Sequence, residues 1–188
     1  MVLVRTATLL LVTLCVVASQ AVAAAQPAEP LYRLVDTAAQ RLAIADPVAA
    51  TKWINGGPIT DRQRADAVLD AVAADAAAHG IDQDYVRTLF TDQIDATEGI
   101  EYTRFGQWKF DSATAPATAP ELSQSRSQID GFNKIMVEEV ARQWNLLHGP
   151  SCSSELNNAT EAVANARQLD PLYRHALSAA TRSYCRII

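Results

Sequence analysis

At 188 residues with 49% hydrophobic positions, the chain is long enough for one domain with a real core and too short for two comfortable ones. Its formal net charge is −5, and an acidic surface argues against nucleic acid or anionic lipid as a partner. That balance also makes any local cluster of cations informative, because the chain is not basic throughout.

Residues 1–25 read as a secretory signal peptide. Arg5 supplies a short positive start, Leu9 to Ala18 is an apolar run, and Ala21-Val22-Ala23 and Ala23-Ala24-Ala25 are small-residue cleavage sites. The run gives way before the ~20 apolar residues of a membrane anchor, and bulky Leu14 fits a lipidated Cys15 poorly. The expectation is cleavage after Ala23 or Ala25, a secreted or periplasmic protein, and no membrane attachment afterwards. Cleavage takes Arg5 and no acid, leaving the remainder one unit more acidic. It also takes Cys15 and leaves Cys152 and Cys185, and an even pair in an exported protein reads as one disulfide.

Residues 26–188 read as one all-α domain, a bundle of about six helices, because no run alternates with period two. After a short linker to Pro30, apolar residues at spacings of three and four from Leu31 predict a long helix, bent near Asp46-Pro47 and stopped by Asn55-Gly56-Gly57-Pro58. Thr60 or Asp61 caps a second helix that runs to His79, with Gly80 as its stop. Asp82 caps a third, with Tyr85, Val86, Leu89, Phe90, Ile94, Thr97, Ile100 and Glu101 as its inward stripe. Asp111 to Pro120 is an Ala/Thr/Pro connector. A fourth helix follows Ser123 or Ser125, its buried stripe running from Ile129 through Phe132, Ile135, Met136, Val140 and Trp144 to Leu147. Ser153 to Ala166 and Asp170 to Tyr184 make a closing hairpin that the disulfide pins.

The usual catalytic sets are missing: no nucleophile elbow, no Gly-rich phosphate loop, and no His/Cys grouping with metal spacing. His79, His148 and His175 sit near helix ends or on exposed-looking faces. What stands out is on the third helix, where Thr97 and Glu101 lie four apart on an otherwise apolar face. A carboxyl there is costly unless it is protonated or paired. Arg41 and Lys52 are eleven residues apart on the first helix, close to three turns, and so share a face about 16 Å from end to end. Taken alone, that pair reads as two solvated charges. Arg64 sits in the first turn of its helix, where the macrodipole does not favour a cation, and an anion held there would resolve the mismatch. With Arg126 at the start of the fourth helix, these cations and the Thr/Glu pair form a candidate pocket for a small dianion. Such a pocket accelerates a reaction by holding a reactive shape and stabilising developing charge.

The stretch Arg41 to Trp53, RLAIADPVAATKW, is followed by Asp61-x-x-Arg64, then Asp92-Gln93-Ile94 through Thr97-Glu98 to Glu101-Tyr102-x-Arg104-Phe105, then Ser125-Arg126-Ser127 and the late cysteines. In this order and with these gaps the chain resembles the exported chorismate mutases of the all-helical AroQ type, the mycobacterial gamma subclass most closely. The resemblance implies a cofactor-independent pericyclic rearrangement of chorismate to prephenate. It assigns the substrate's carboxylates to Arg41, Arg64 and Arg126, its ether oxygen to Lys52 and Glu101, and the rest of the binding wall to Thr97 and the backbone around Asp61. By the same resemblance Lys52, Glu101 and Arg64 are the catalytic set, and each protomer, alone or in a homodimer, holds a complete site. Two positions depart from the pattern. Ala65 stands where the enteric cytoplasmic type has a Glu near the substrate hydroxyl, and Val68 where exported relatives have a Gln, which leaves that hydroxyl to Thr97, Gln63 or water. Two other readings compete: an isochorismate-pyruvate lyase on the same scaffold, and a secreted, non-catalytic helical interaction protein. The latter requires the four cations to diverge to different faces.

Overall fold

Three- and four-residue apolar spacings become helix after helix in the structure, a computed structural model that describes residues 29–186 and contains no strand among them. The leader, its cleavage sites and Cys15 lie outside the described residues. In chain order the helices are α1 (Tyr32–Leu42), α2 (Ala45–Asn55), α3 (Arg62–Ala78), α4 (Gln83–Phe110), α5 (Leu122–Arg142), α6 (Trp144–Leu147), α7 (Cys152–Ala166) and α8 (Pro171–Ala180), with one 3₁₀ turn, Ser112–Thr114, in the Ala/Thr/Pro connector.

The single bent helix expected up to Ile54 is two helices. Pro47 has no N–H to offer the carbonyl of Ala43, four residues back, and its ring crowds that carbonyl. The break therefore falls at Ala43-Ile44, upstream of the proline: the Ile44 N–H turns back to the Arg41 carbonyl at 3.2 Å, and the Val48 N–H resumes the ladder on the Ile44 carbonyl at 3.2 Å. The fourth expected helix also divides, with α6 splitting off as one turn after Gln143. It begins earlier than Ser123 or Ser125, at Leu122, and Glu121 precedes it without a side-chain cap bond. Of the expected apolar stripe on α5 only Met136 and Val140 are fully buried, joined by Val137, while Ile129, Phe132 and Ile135 are half-buried and Ile129 faces a pocket.

The other helix ends follow local rules. Asp61 accepts the Arg64 N–H at 3.1 Å and Asp82 accepts the Tyr85 N–H at 2.5 Å, each relieving an orphan donor. Past α3, Gly80 adopts φ 69°, and the chain reverses through bonds from Gly80 N–H to the Ala77 carbonyl and from Ile81 N–H to the Ala76 carbonyl.

Helix α4 is the central element and packs against α1, α2, α3 and α8. Its first half carries Tyr85, Val86, Leu89 and Phe90 into a core completed by Leu34, Val35, Ala38 and Leu42 of α1, by α5, and by Val163 and Leu177 of the hairpin. Its far end holds α2 in place. Arg104 forks onto both oxygens of Asp46 at 2.7 and 3.1 Å, and Trp53 meets the rings of Phe105 and Trp108 at 5.2 and 5.5 Å. Between these two ends lies the polar middle of α4.

Cys152 and Cys185 form the expected disulfide, with an S–S distance of 2.02 Å, joining the start of α7 to the segment after α8. Beside it, the Tyr85 hydroxyl donates to the Tyr184 carbonyl at 2.5 Å and the Arg186 N–H to the Leu147 carbonyl at 3.1 Å. The cross-link spans 33 residues, for which chain entropy gives about 3 to 4 kcal/mol of stabilisation. Replacing both cysteines by Ala should lower the calorimetric melting temperature by about 10 °C and leave the helical far-ultraviolet spectrum in place below it.

Candidate active site

Successive steps of three and four along α4 lead from Phe90 in the core to Gln93, Thr97 and Glu101, and this polar row faces helices α1, α2, α3 and α5. The seven residues singled out in the sequence, Arg41, Lys52, Asp61, Arg64, Thr97, Glu101 and Arg126, all line one pocket there. Its empty space, open mouth included, is about 610 Å³. Val48, Ile59, Ile94, Leu122 and Ile129 supply apolar wall between the charges.

Arg41 forms the floor. It is 3% exposed. Its Nε donates to Asn133 Oδ1 at 2.8 Å, and Nη1 donates to Thr97 Oγ1 at 3.2 Å and the Gln93 carbonyl at 3.4 Å. No carboxylate lies within ion-pair distance of it among the described residues. Burial pulls its pKa down to about 10, which still leaves it charged at neutral pH. An unneutralised cation held by neutral oxygens at the bottom of a pocket is a ready seat for an anion.

Lys52 and Glu101 form one wall. Lys52 Nζ donates to Glu101 Oε2 at 2.8 Å and to the Ile59 carbonyl at 2.7 Å. Glu101 is 2% exposed. Desolvation raises its pKa above the ordinary carboxylate range, the hydrogen bond and charge of Lys52 pull it back, and the neighbouring Glu98 charge pushes it up. The pair therefore presents an ammonium and a carboxyl whose proton occupancy responds to whatever charge arrives between them.

Arg64 and Arg126 stand nearer solvent. Arg64 reaches Asp130 at 2.6 Å and Arg126 reaches Asp61 at 3.2 Å, and all four side chains are at least a quarter exposed. Arg64 thus resolves its unfavourable place in the first turn of α3 partly through α5. Partly exposed pairs of this kind hold weakly, so both guanidinium groups are free to exchange a protein carboxylate for a ligand's. The cations converge, which removes the reading that needed them scattered.

Several site residues escaped the sequence reading. Asn133, buried behind Arg41, lies seven residues after Arg126, two helical turns along the same face of α5; Asp130 lies four after it, and Glu98 three before Glu101. Helical spacing from residues already chosen would have found all three. Ala65 and Val68 do line the pocket, whereas Gln63 is exposed and off its wall. The histidines are elsewhere; His148 stacks on Trp144 with ring centroids 4.1 Å apart.

Residues 32–102 match the family described as chorismate mutase type II. Over 164 residues the chain is 56% identical to the secreted chorismate mutase of Mycolicibacterium smegmatis, a match spanning 87% of this chain and 91% of that relative. The chain belongs to the type II chorismate mutase family. Another relative, the secreted chorismate mutase of Mycobacterium tuberculosis, is 48% identical over 158 residues, 84% of this chain and 79% of that one. The crystal structure of a chorismate mutase from Burkholderia thailandensis superimposes with a TM-score of 0.78 at 36% identity, covering 83% of this chain and 99% of that chain. Within this chorismate mutase fold, Asn133 is the acceptor that keeps the Arg41 Nε satisfied in the interior. Asn133→Ala should therefore destabilise the protein by about 1 to 3 kcal/mol in urea unfolding, and Asn133→Asp, which adds an anion beside Arg41, should weaken binding of a dianion more than Asn133→Ala does.

Proposed function

We propose that this pocket rearranges chorismate to prephenate by holding the dianion in a chair-like shape while charge builds on its ether oxygen. What supports the reading is the buried, unpaired Arg41 opening onto the same space as the Lys52–Glu101 pair. One substrate carboxylate sits on Arg41; the other exchanges with Asp61 and Asp130 for Arg126 and Arg64. The carbon–oxygen bond breaks as the new carbon–carbon bond forms, with no proton transferred and no covalent partner. The work left to the protein is orientation and electrostatics. Lys52 donates to the ether oxygen as it becomes negative, and Glu101 donates to it when protonated.

The protonation condition has a definite sign. Burial already raises the Glu101 pKa, and a bound dianion raises it further, since a nearby negative charge disfavours the carboxylate. The acid form is the active one, so activity is highest below that raised pKa and falls as pH increases through it. The wild-type kcat/KM should decline with rising pH, and Glu101→Gln, which keeps a donor at every pH, should flatten the profile. A wild-type profile level from mildly acidic to neutral pH removes the donor role.

Removing one such group costs about 100- to 1,000-fold in rate. Lys52→Ala and Arg64→Ala should lose that much kcat/KM in an assay of chorismate disappearance while keeping the helical circular-dichroism spectrum. Accumulation of pyruvate in place of prephenate overturns the assignment. With Arg126 of α5 lining the pocket beside Arg41, Lys52 and Arg64, we take each protomer, alone or in a homodimer, to carry a complete site. We further take residues 1–25 as a leader removed on export, in keeping with relatives named as secreted; no helix among the described residues is long and apolar enough to cross a membrane.

A further inference from the structure

Behind the pocket lies a layer of buried polar atoms that the stability of the fold does not explain. Gln93 and Tyr184 are both 0% exposed, and neither lines the pocket. Among the described residues the Gln93 amide nitrogen, the Gln93 amide oxygen and the Tyr184 hydroxyl have no hydrogen-bond partner. Of the adjacent Asp92 carboxylate only Oδ1 is engaged, by Arg182 Nε at 2.8 Å and Nη2 at 2.5 Å. A buried polar atom without a partner costs stability, whereas an apolar side chain of the same shape in its place is neutral or better. The fold by itself would therefore be served as well by a leucine and a phenylalanine.

What these atoms have beside them is the charge of Arg41. The Gln93 carbonyl accepts from Arg41 Nη1 at 3.4 Å. Burial pushes the Tyr184 phenol up and the neighbouring Tyr85 adds to that, while the Gln93 amide and the Arg41 charge pull it back, so the three groups act on one another. At neutral pH the phenol is uncharged and meets the guanidinium as a dipole, an interaction strengthened by the dry surroundings. The chain holds Tyr184 there at three points. Its N–H donates to the Thr181 carbonyl at 3.1 Å, its own carbonyl accepts from the Tyr85 hydroxyl at 2.5 Å, and the next residue, Cys185, is bonded to Cys152. We propose that Gln93 and Tyr184 are positioning residues for Arg41, their buried dipoles keeping the guanidinium turned toward the substrate's carboxylate. Neither touches the substrate. The assignment rests on the chorismate reading above and adds the layer that supports its deepest cation. Arg41 grips a carboxylate that stays charged throughout the reaction, so its orientation affects ground and transition states alike, which moves KM and leaves kcat.

Gln93→Leu and Tyr184→Phe remove the unpartnered polar atoms and nearly keep the shape, so both variants should fold. The test measures kcat and KM for chorismate, and the calorimetric melting temperature, in the wild type and in each variant. KM should rise about 3- to 10-fold in each, the range of one ordinary hydrogen bond, with kcat within about twofold of the wild type and a melting temperature equal to the wild type's or higher. In an Arg41→Gln background, Tyr184→Phe should change KM no further, because the group it positions is gone. A role in packing alone predicts the reverse pattern, a wild-type KM with a lower melting temperature, and that result overturns the assignment. So does a fall in kcat larger than the rise in KM, or a Tyr184→Phe effect that persists undiminished without Arg41. Failure of the chorismate reading itself is seen separately, as a wild type that does not consume chorismate, and takes this assignment with it.

Discussion

Arg41 carries its charge into the interior and meets no carboxylate there among the described residues, and the arrangement of the pocket depends on how that charge is kept tolerable. Isolated burial of a cation is expensive. Here the expense is offset by neutral dipoles from two other helices: Asn133 of α5, and Thr97 with the Gln93 carbonyl of α4. These groups fix the guanidinium without cancelling it. A carboxylate in their place would have made a more comfortable interior and a worse binding site, because the ligand would have had to displace it. The rim arginines follow the opposite arrangement, with protein carboxylates on half-exposed pairs that exchange readily. Depth therefore decides which cations are left bare and which are temporarily covered.

Helix α4 makes this gradient possible. Its first turns are welded into the core by Tyr85, Leu89 and Phe90, its last are held against α2 by Arg104 and an aromatic trio, and the polar row from Gln93 to Glu101 is suspended between two anchored ends. A row of polar side chains in the middle of a rigid helix is placed more precisely than one on loops. The break at Ala43-Ile44 serves the same end, since it separates the helix that carries Arg41 from the one that carries Lys52 and lets each be oriented by its own packing.

Much of this could be read from the chain. The helix starts at Thr60 or Asp61, of which Asp61 is the cap, and at Asp82 were legible because an N-cap is a local event, and the pairing of Cys152 with Cys185 because only that pair is left once the leader is set aside. Thr97 and Glu101 stood out because polar residues four apart interrupt an apolar stripe. Periodicity could not say that Arg64, Arg126, Arg41 and Lys52 meet, since that depends on how four helices pack; the ordered resemblance to a known family carried that expectation. The misreading of α1 and α2 as one helix has a plain cause: proline's effect is felt four residues earlier, at a carbonyl that nothing in the local composition marks. Glu98, Asn133 and Asp130 were missed because a charged or amide residue on a helix is ordinarily just solvated surface, and only the neighbouring helices make these three exceptional.

The bond between Cys152 and Cys185 encloses the turn from Arg167 to Asp170, where Gln168 sits at φ 52° on an exposed surface. A protease would find that bend an accessible place to cut. The severed ends would stay tethered through sulfur. A nick in that turn therefore does not release the segment that follows it.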